Sequence, residues 1–489
     1  AILAHATLLE RSRLGLPLSF RARRPMGGSQ SVVLDEDAEP EVDLRPATEA
    51  FLRGWRDRPV PTSLRELAGH LGFEPDGVKA MLSQYPETEA SFFAKTLPFA
   101  VEMAARLPEL LPQLALPKLA QGCQASLPLP RTLVASLLAH MFLCTTSSID
   151  RRSGSAMPEV SFDHLLACTE TQEVAKLRMF TQYFDRLTEG MPSGQLRIYR
   201  QARPQLAEAE RRQAWASSEK PLLPIEVVPM GIGFEDGAWG EGCLHADFAN
   251  MFLGGGVLSG GCVQEEIRFA ICPELCAAML VCPCMLPNEA ITVVGGEQFS
   301  AYKGYAFSLE YGGPFENPRC RRDVDGTPLV AITAMDALDF RRADSSLEAQ
   351  MKPENELREL EKAAAAFAPV DDEALRTWPV VATGNWGCGA FCGSLPLKAV
   401  LQWLAASEGS RRLRYFPFQE PIGDELAAVS KELCAAGTTV GQLFTTLQAL
   451  AAKGGKVREP ELLQALLKQC PRGSVGGSRA PAKGGKAKR

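Results

Sequence analysis

"GGGVLSGGCVQEEIRFAICPEL", residues 254–275, passes from a glycine loop through two adjacent carboxylates, Glu265 and Glu266, into an apolar helical run. The glycines remove side-chain bulk, so backbone N–H groups of the loop can approach an anion closely. A helix starting near Gln264 adds free N–H groups at its N-terminus, which also favour negative charge. An acidic first turn is by itself ordinary dipole complementation, but the glycine cluster before it points further. Nucleotide loops do not fit. A dinucleotide fingerprint from Gly254 needs Gly where Ser259 stands, and no Gly-Lys-Ser/Thr follows. Ser259 also lacks the G-x-S-x-G spacing of a nucleophile elbow.

Two neighbouring carboxylates make ionisation harder for each other, and partial burial pushes the same way, so one could stay protonated as a general acid. The helix terminus opposes that shift. Successive side chains on a helix diverge, so the pair is not expected to flank a bond from opposite sides across the roughly 5 to 9.5 Å of a two-carboxylate glycosidase. One acid is expected to act while the other orients it or the substrate.

Upstream, "CLHADFANMFL" reads as a strand delivering the chain into the loop. After residue 190, strand-like runs ("PIEVVPM", "AITVVGG", "GYAFSLEYG", "PLVAITAMD", "WPVVATG", "LRYFPF") alternate with helical segments. That alternation predicts an α/β domain over 191–458, its mixed or parallel sheet covered by helices on both faces. Residues 46–190 instead carry apolar residues at three- and four-residue spacing, as in "SFFAKTLPFAVEMAARLPELL" and "EVAKLRMFTQYFDRLTEG", and predict an N-terminal all-α accessory region. Residues 1–45 read as a flexible lead-in. The terminal segment 459–489 ends in "RGSVGGSRAPAKGGKAKR", a disordered basic tail suited at most to weak nucleic-acid or import-receptor contact.

With 489 residues, 46% hydrophobic, the chain can bury a large core in more than one domain. A formal net charge of −6 gives no global positive field for nucleic acid. The 14 cysteines are scattered through core-like segments, which suits a reducing nuclear or cytosolic compartment. "TLVASLLAHMFLC" has 13 residues, short of the roughly 18 that span a bilayer, and reads as a buried helix. Cys272, Cys276, Cys282 and Cys284 have no His nearby and no paired C-x-x-C spacing, so they read as buried thiols rather than a metal site. The five histidines are far apart, and His245 in its strand-like run reads as structural. The chain starts at Ala1, so a fragment or processed form is expected, with any upstream targeting signal out of view.

The block "GGGVLSGGCVQEE" resembles the signature of the poly(ADP-ribose) glycohydrolase family. "ADFANMFLGGG", "GGEQFSAYKGYA" and "VVATGNWGCGAFCG" resemble further blocks of that family's catalytic domain, in its order, and the likeness spans residues 90–450. The resemblance implies a macrodomain-like mixed sheet sandwiched by helices, with a helical accessory region. It implies hydrolysis of ribose-ribose O-glycosidic bonds in poly(ADP-ribose), mainly from chain ends, with no metal and no cofactor. By position, Glu266 matches the acid that protonates the leaving ribose and then activates water, and Glu265 its neighbour that helps hold the ribose. Asn250 and Gln264 match substrate-orienting amides. Gly254, Gly255, Gly256 and Ser259 match the diphosphate loop. Tyr302 and Tyr305 match an aromatic clasp, Tyr305 more closely. Asn385 and Phe391 match residues lining the diphosphate and ribose, Phe418 the aromatic on adenine, and Phe234 and Glu235 the pair contacting adenine. Phe299 stands where many members carry Tyr, Met251 lies in a usually more polar block, and Cys392 stands where Gly is expected, a change that would tighten the diphosphate loop. The implied partners are poly(ADP-ribose) and poly-ADP-ribosylated proteins, in a DNA damage response, with the chain a monomer in nucleus and/or cytoplasm. The competing expectations are a macrodomain reader that binds ADP-ribose without hydrolysis, which would have no evident need for both acids, and an interaction scaffold built on the helical region and basic tail.

Overall fold

Strand alternation sorts the apolar residues of the α/β half into two cores, one on each face of a sheet. In the computed structural model, which describes residues 41–149, 156–233, 240–341, 344–453 and 457–471, that sheet has eight strands. They are β1 (Ala125–Pro130), β2 (Gln195–Ala202), β3 (Ile225–Val227), β4 (Leu244–Asp247), β5 (Glu289–Val294), β6 (Ala331–Ala334), β7 (Val380–Gly384) and β8 (Arg412–Phe416). Their order is β1-β2-β5-β6-β4-β7-β8-β3. The β1/β2, β2/β5 and β5/β6 pairs are antiparallel. The β6/β4, β4/β7, β7/β8 and β8/β3 pairs are parallel, so the sheet is mixed. The lead-in to residue 40, the basic tail from 472, and Phe234 with Glu235 lie outside the described residues.

The period-two pattern assigns the faces. Leu244, Ala246, Ala290, Val294, Ala331, Val381, Leu413 and Tyr415 join one core. It is closed by α4 (Pro353–Phe367), α5 (Leu395–Glu408) and three C-terminal helices. Ile198, Ile291, Val293, Ile332 and Ala334 face the other way, onto α1 (Arg131–Phe142), α2 (Thr171–Glu189) and α3 (Gln264–Ile271). The N-terminal helices and the acid-bearing helix α3 therefore cover the same face. The segment read as a buried helix is α1, with 11 of 12 residues buried. Among the described residues no helix is long and apolar enough to cross a membrane.

Two expectations are refined. The region 46–190 is helical in bulk but not purely so: Ala115–Pro117 pairs with Glu41–Asp43, and β1 forms one edge of the main sheet. Pro128 and Pro130 fit there because an edge strand has one row of unshared N–H groups. "GYAFSLEYG" is not one strand. Ala306–Ser308 makes a 3-10 turn, and the strand Glu310–Pro314 then pairs back on Ser300–Lys303 as a separate hairpin.

Candidate active site

Strands β4, β6, β7 and β8 run parallel, so the loops leaving their carboxyl ends lie along one edge of the sheet, where α/β folds take ligands. The loop after β4 carries Asn250 and the glycines, and the loop after β7 begins with Asn385. The loop after β8 carries Phe418.

Helix α3 begins at this edge. Glu266 Oε2 accepts the N–H of Val263 at 3.0 Å, the backward half of a capping box, so the first-turn acid does cap its helix. Its other oxygen leaves the helix and accepts the Gly256 N–H at 3.0 Å. Glu265 is bound by the loop alone, from Gly254 N at 2.7 Å and Asn250 N at 2.8 Å. Gln264 Oε1 takes the Phe248 N–H at 2.8 Å. Gln264 thereby orients the chain as it leaves β4. The Asn250 side-chain Oδ1 accepts from Phe252 N at 3.0 Å and shapes the loop.

The two acids converge where diverging side chains were expected. A Cβ on Gly255 would stand 2.5 Å from Glu266 Oε1 and 2.7 Å from Glu265 Oε2, so both carboxylates crowd one glycine. Gly255 also has φ +52°, in the left-handed region. Gly261 is crowded by one of the two carboxylates, its Cβ position 2.5 Å from Glu266 Oε1. The glycines leave room for the acids, and their N–H groups, expected to face an anion, are instead taken by the acids at Gly254 and Gly256 and by loop carbonyls at Gly255 and Gly261. Burial, then the charges of Asp247 and Glu266, hold the Glu265 carboxyl well above the usual carboxylate range, against its two backbone hydrogen bonds. Glu266 is the more open acid, 7% exposed against 2%.

One functional residue escaped the sequence reading. Lys176 of α2 is fully buried, and its ammonium donates to the loop carbonyls of Gly256 at 3.3 Å, Ser259 at 2.5 Å and Gly261. Burial pulls its pKa down to about 8, against the attraction of Glu266. The signal was present: Lys176 interrupts the apolar face of "EVAKLRMF" between Val174, Ala175 and Leu177, all buried, and a buried lysine is rare unless it is paired. Ser259 contributes its carbonyl to this strut and its hydroxyl to Gly256 O at 3.3 Å.

The remaining candidates spread along the same edge. Tyr305, at the exposed tip of the hairpin, meets Phe418 with ring centroids 5.8 Å apart and planes tilted 46°. They are 37% and 36% exposed, an unusual outlay of aromatic surface. Tyr302 lies half-buried in the hairpin strand and belongs to the packing. Asn385 accepts from the Tyr415 hydroxyl at 2.9 Å and donates to Pro417 O at 3.0 Å, bracing the loop that presents Phe418. Phe391 is half-buried, with the Arg341 guanidinium 5.2 Å over its ring. Cys392 has φ +58°, a backbone that favours the Gly expected there. Phe299 packs edge-on to Tyr183 at 4.9 Å and is 5% exposed, a place where a phenyl needs no hydroxyl partner. His245 is buried, its Nε2 2.6 Å from Gly240 O and its Nδ1 3.1 Å from the Arg268 guanidinium.

A mixed sheet with ligand loops at its parallel ends, and an acid pair bound by a glycine loop, define a macrodomain-type hydrolase scaffold. The sequence model described as "Poly (ADP-ribose) glycohydrolase (PARG), Macro domain fold" matches residues 212–423, and that of the family's helical domain matches residues 85–200. Poly(ADP-ribose) glycohydrolase 1 of Arabidopsis thaliana is 32% identical over 66% of this chain and 69% of its own length. The probable poly(ADP-ribose) glycohydrolase 2 of the same plant is 31% identical over 74% of this chain and 78% of its own. The chain belongs to the poly(ADP-ribose) glycohydrolase family. A solved glycohydrolase structure from Thermomonospora curvata shares 20% identity, covering 48% of this chain and 85% of that one, at a TM-score of 0.30.

Proposed function

We propose that the protein hydrolyses the ribose-ribose O-glycosidic bonds of poly(ADP-ribose) and releases ADP-ribose. The observation that carries this reading is the shared clamp: one loop, through the N–H groups of Asn250, Gly254 and Gly256, holds Glu265 and Glu266. A module that only bound ADP-ribose would have no use for two acids crowded on one glycine.

In this mechanism Glu266, the more open acid, protonates the departing ribose oxygen and then takes a proton from the attacking water, as an oxocarbenium-like state requires. Glu265, held toward its protonated form, donates a hydrogen bond to the substrate ribose and spares the site a second full negative charge. The glycine loop lets the diphosphate approach its backbone closely, while the N–H groups of Gly254 and Gly256 stay on the two acids. Phe418 offers its face to adenine and Tyr305 closes over it. Phe234 and Glu235 are carried over as the adenine-side contacts by sequence position alone. Poly-ADP-ribosylated proteins are the macromolecular partners on this reading. The cysteines buried in core elements, such as Cys272, Cys276 and Cys282, support a reducing nuclear or cytoplasmic setting.

The test compares the chain with Glu266→Gln on labelled polymer. The amide keeps the shape and removes the proton donor, so release of ADP-ribose falls by about 10²- to 10⁴-fold while polymer binding persists. If the unmodified chain binds polymer but releases nothing, the reader alternative holds instead.

A further inference from the structure

Behind the glycine loop, three metal-ligating side chains from two elements converge without entering the chemistry above. His164 lies in the short helix Asp163–Ala167, Cys168 directly follows it, and Glu173 is in the first turn of α2. His164 Nε2 is 3.0 Å from Glu173 Oε1, and Cys168 Sγ is 2.6 Å from Glu173 Oε2. One donor atom from each residue lies within 4.8 Å of the other two. A tetrahedral zinc-class ion, with bonds of about 2.0–2.1 Å to N and O and about 2.3 Å to S, sets its ligand atoms roughly 3.3–3.6 Å apart. Small side-chain adjustments therefore convert the hydrogen-bonded triad into a coordination shell.

We propose that His164, Cys168 and Glu173 form a binding site for a thiophilic divalent cation of the zinc class. The ligand set is mixed nitrogen, sulfur and oxygen, which suits zinc and disfavours magnesium or calcium. Its scaffold is rigid. A Cβ on Gly77 would stand only 2.3–2.8 Å from the carbonyl oxygens of Leu165, Cys168 and Leu166, so helix Asp76–Gln84 presses directly on the ligand-bearing segment. Leu165 and Leu166 are buried, and Cys168 N bonds to His164 O at 2.9 Å. The site is also open on one side: the His164 side chain is 49% exposed and Glu173 4%, so water can complete the fourth position.

Binding breaks the Cys168 S–H bond as the sulfur–metal bond forms. The proton that now points at Glu173 Oε2 leaves to solvent, and the cation replaces it between sulfur and carboxylate. Thiolate and carboxylate then place two negative charges on the cation. They outweigh the opposing Lys176 ammonium one turn along α2 and the positive end of that helix. Glu173 Oε1 lies 3.4 Å from the position of a Cβ on Gly260, so the bound ion sits against the outer side of the glycine loop, away from Glu266.

In the sequence the three ligands stand as His-x3-Cys-x4-Glu.

The test titrates the full chain, reduced and stripped of metal, with Co²⁺ and then Zn²⁺. The expected result is a thiolate-to-cobalt charge-transfer band saturating at one equivalent and abolished by Zn²⁺. Cys168→Ser removes the band, and Cys123→Ser, at an exposed cysteine elsewhere, leaves it. His164→Ala, at a half-exposed position that need not perturb folding, weakens Co²⁺ binding by about 100-fold. The proposal is overturned if the unmodified chain shows no band, if the band survives Cys168→Ser, or if His164→Ala binds Co²⁺ as tightly as the parent.

Discussion

Replacing Lys176 by Met keeps the apolar stem and deletes the ammonium that holds Gly256, Ser259 and Gly261. Three part-buried carbonyls then lose their donor, at about 2 kcal/mol each. Against that, the fold no longer carries a desolvated charge, whose pKa of about 8 against an ordinary 10.5 corresponds to about 3 kcal/mol. The net expectation is a loss of about 3 kcal/mol in stability, read by urea denaturation. The loss in activity is the sharper test. Gly256 carries both the carbonyl that Lys176 holds and the N–H that orients Glu266, so loosening one displaces the other, and about 1 Å of displacement lowers kcat/KM by about 100-fold. The pH profile supplies an independent mark. The folded pKa of Lys176 is depressed, so between about pH 8 and 10.5 the unfolded chain holds a proton that the folded chain has released. This group's contribution to stability therefore rises with pH across that window, while activity, which needs the three-donor ammonium, falls. A Lys176→Met protein with parental stability and parental kcat/KM on polymer would refute the reasoning.

Four further outcomes are expected. Gly255→Ala places a methyl against both acids and forces an L-residue to φ +52°; it costs about 1–2 kcal/mol and cuts turnover about 100-fold. Gly437→Ala, at φ +69° with open space around it, bears the backbone cost alone and keeps its turnover, which separates strain from collision. Phe418→Ala removes an exposed stacking face worth about 1–3 kcal/mol; the Kd for ADP-ribose measured by calorimetry rises accordingly, with the melting temperature unchanged. Cys392→Gly relieves a left-handed cysteine and raises denaturation stability by up to about 1 kcal/mol without loss of hydrolysis.

Those substitutions fall on residues of very different legibility. The start of α3 at Gln264, the glycine loop before it and the strand at Leu244–Asp247 could be read directly, because capping, small side chains and alternation are local signals. Strand β2, "QLRIYRQA", is masked by its four charged or amide side chains, although Leu196 and Ile198 face one core. Strand β1 was hidden by its prolines, which only an edge position excuses. The convergence of Glu265 and Glu266 on Gly255 depends on a loop that folds back over the helix end, so helix geometry alone implied the opposite. The elevation of Glu265 by Asp247 links residues 18 positions apart through the sheet edge, and periodicity has nothing to say about it.

The strut beneath the glycine loop also bears on how such a chain can be divided. Lys176 belongs to the helical half, yet it grips carbonyls on either side of the turn that positions Glu266 in the other half. A fragment starting at residue 191 would retain the glycines of the loop and both acids while losing the cation that braces them. Grafting the sheet domain alone onto another protein would transplant the ligand cradle without the cation that braces it.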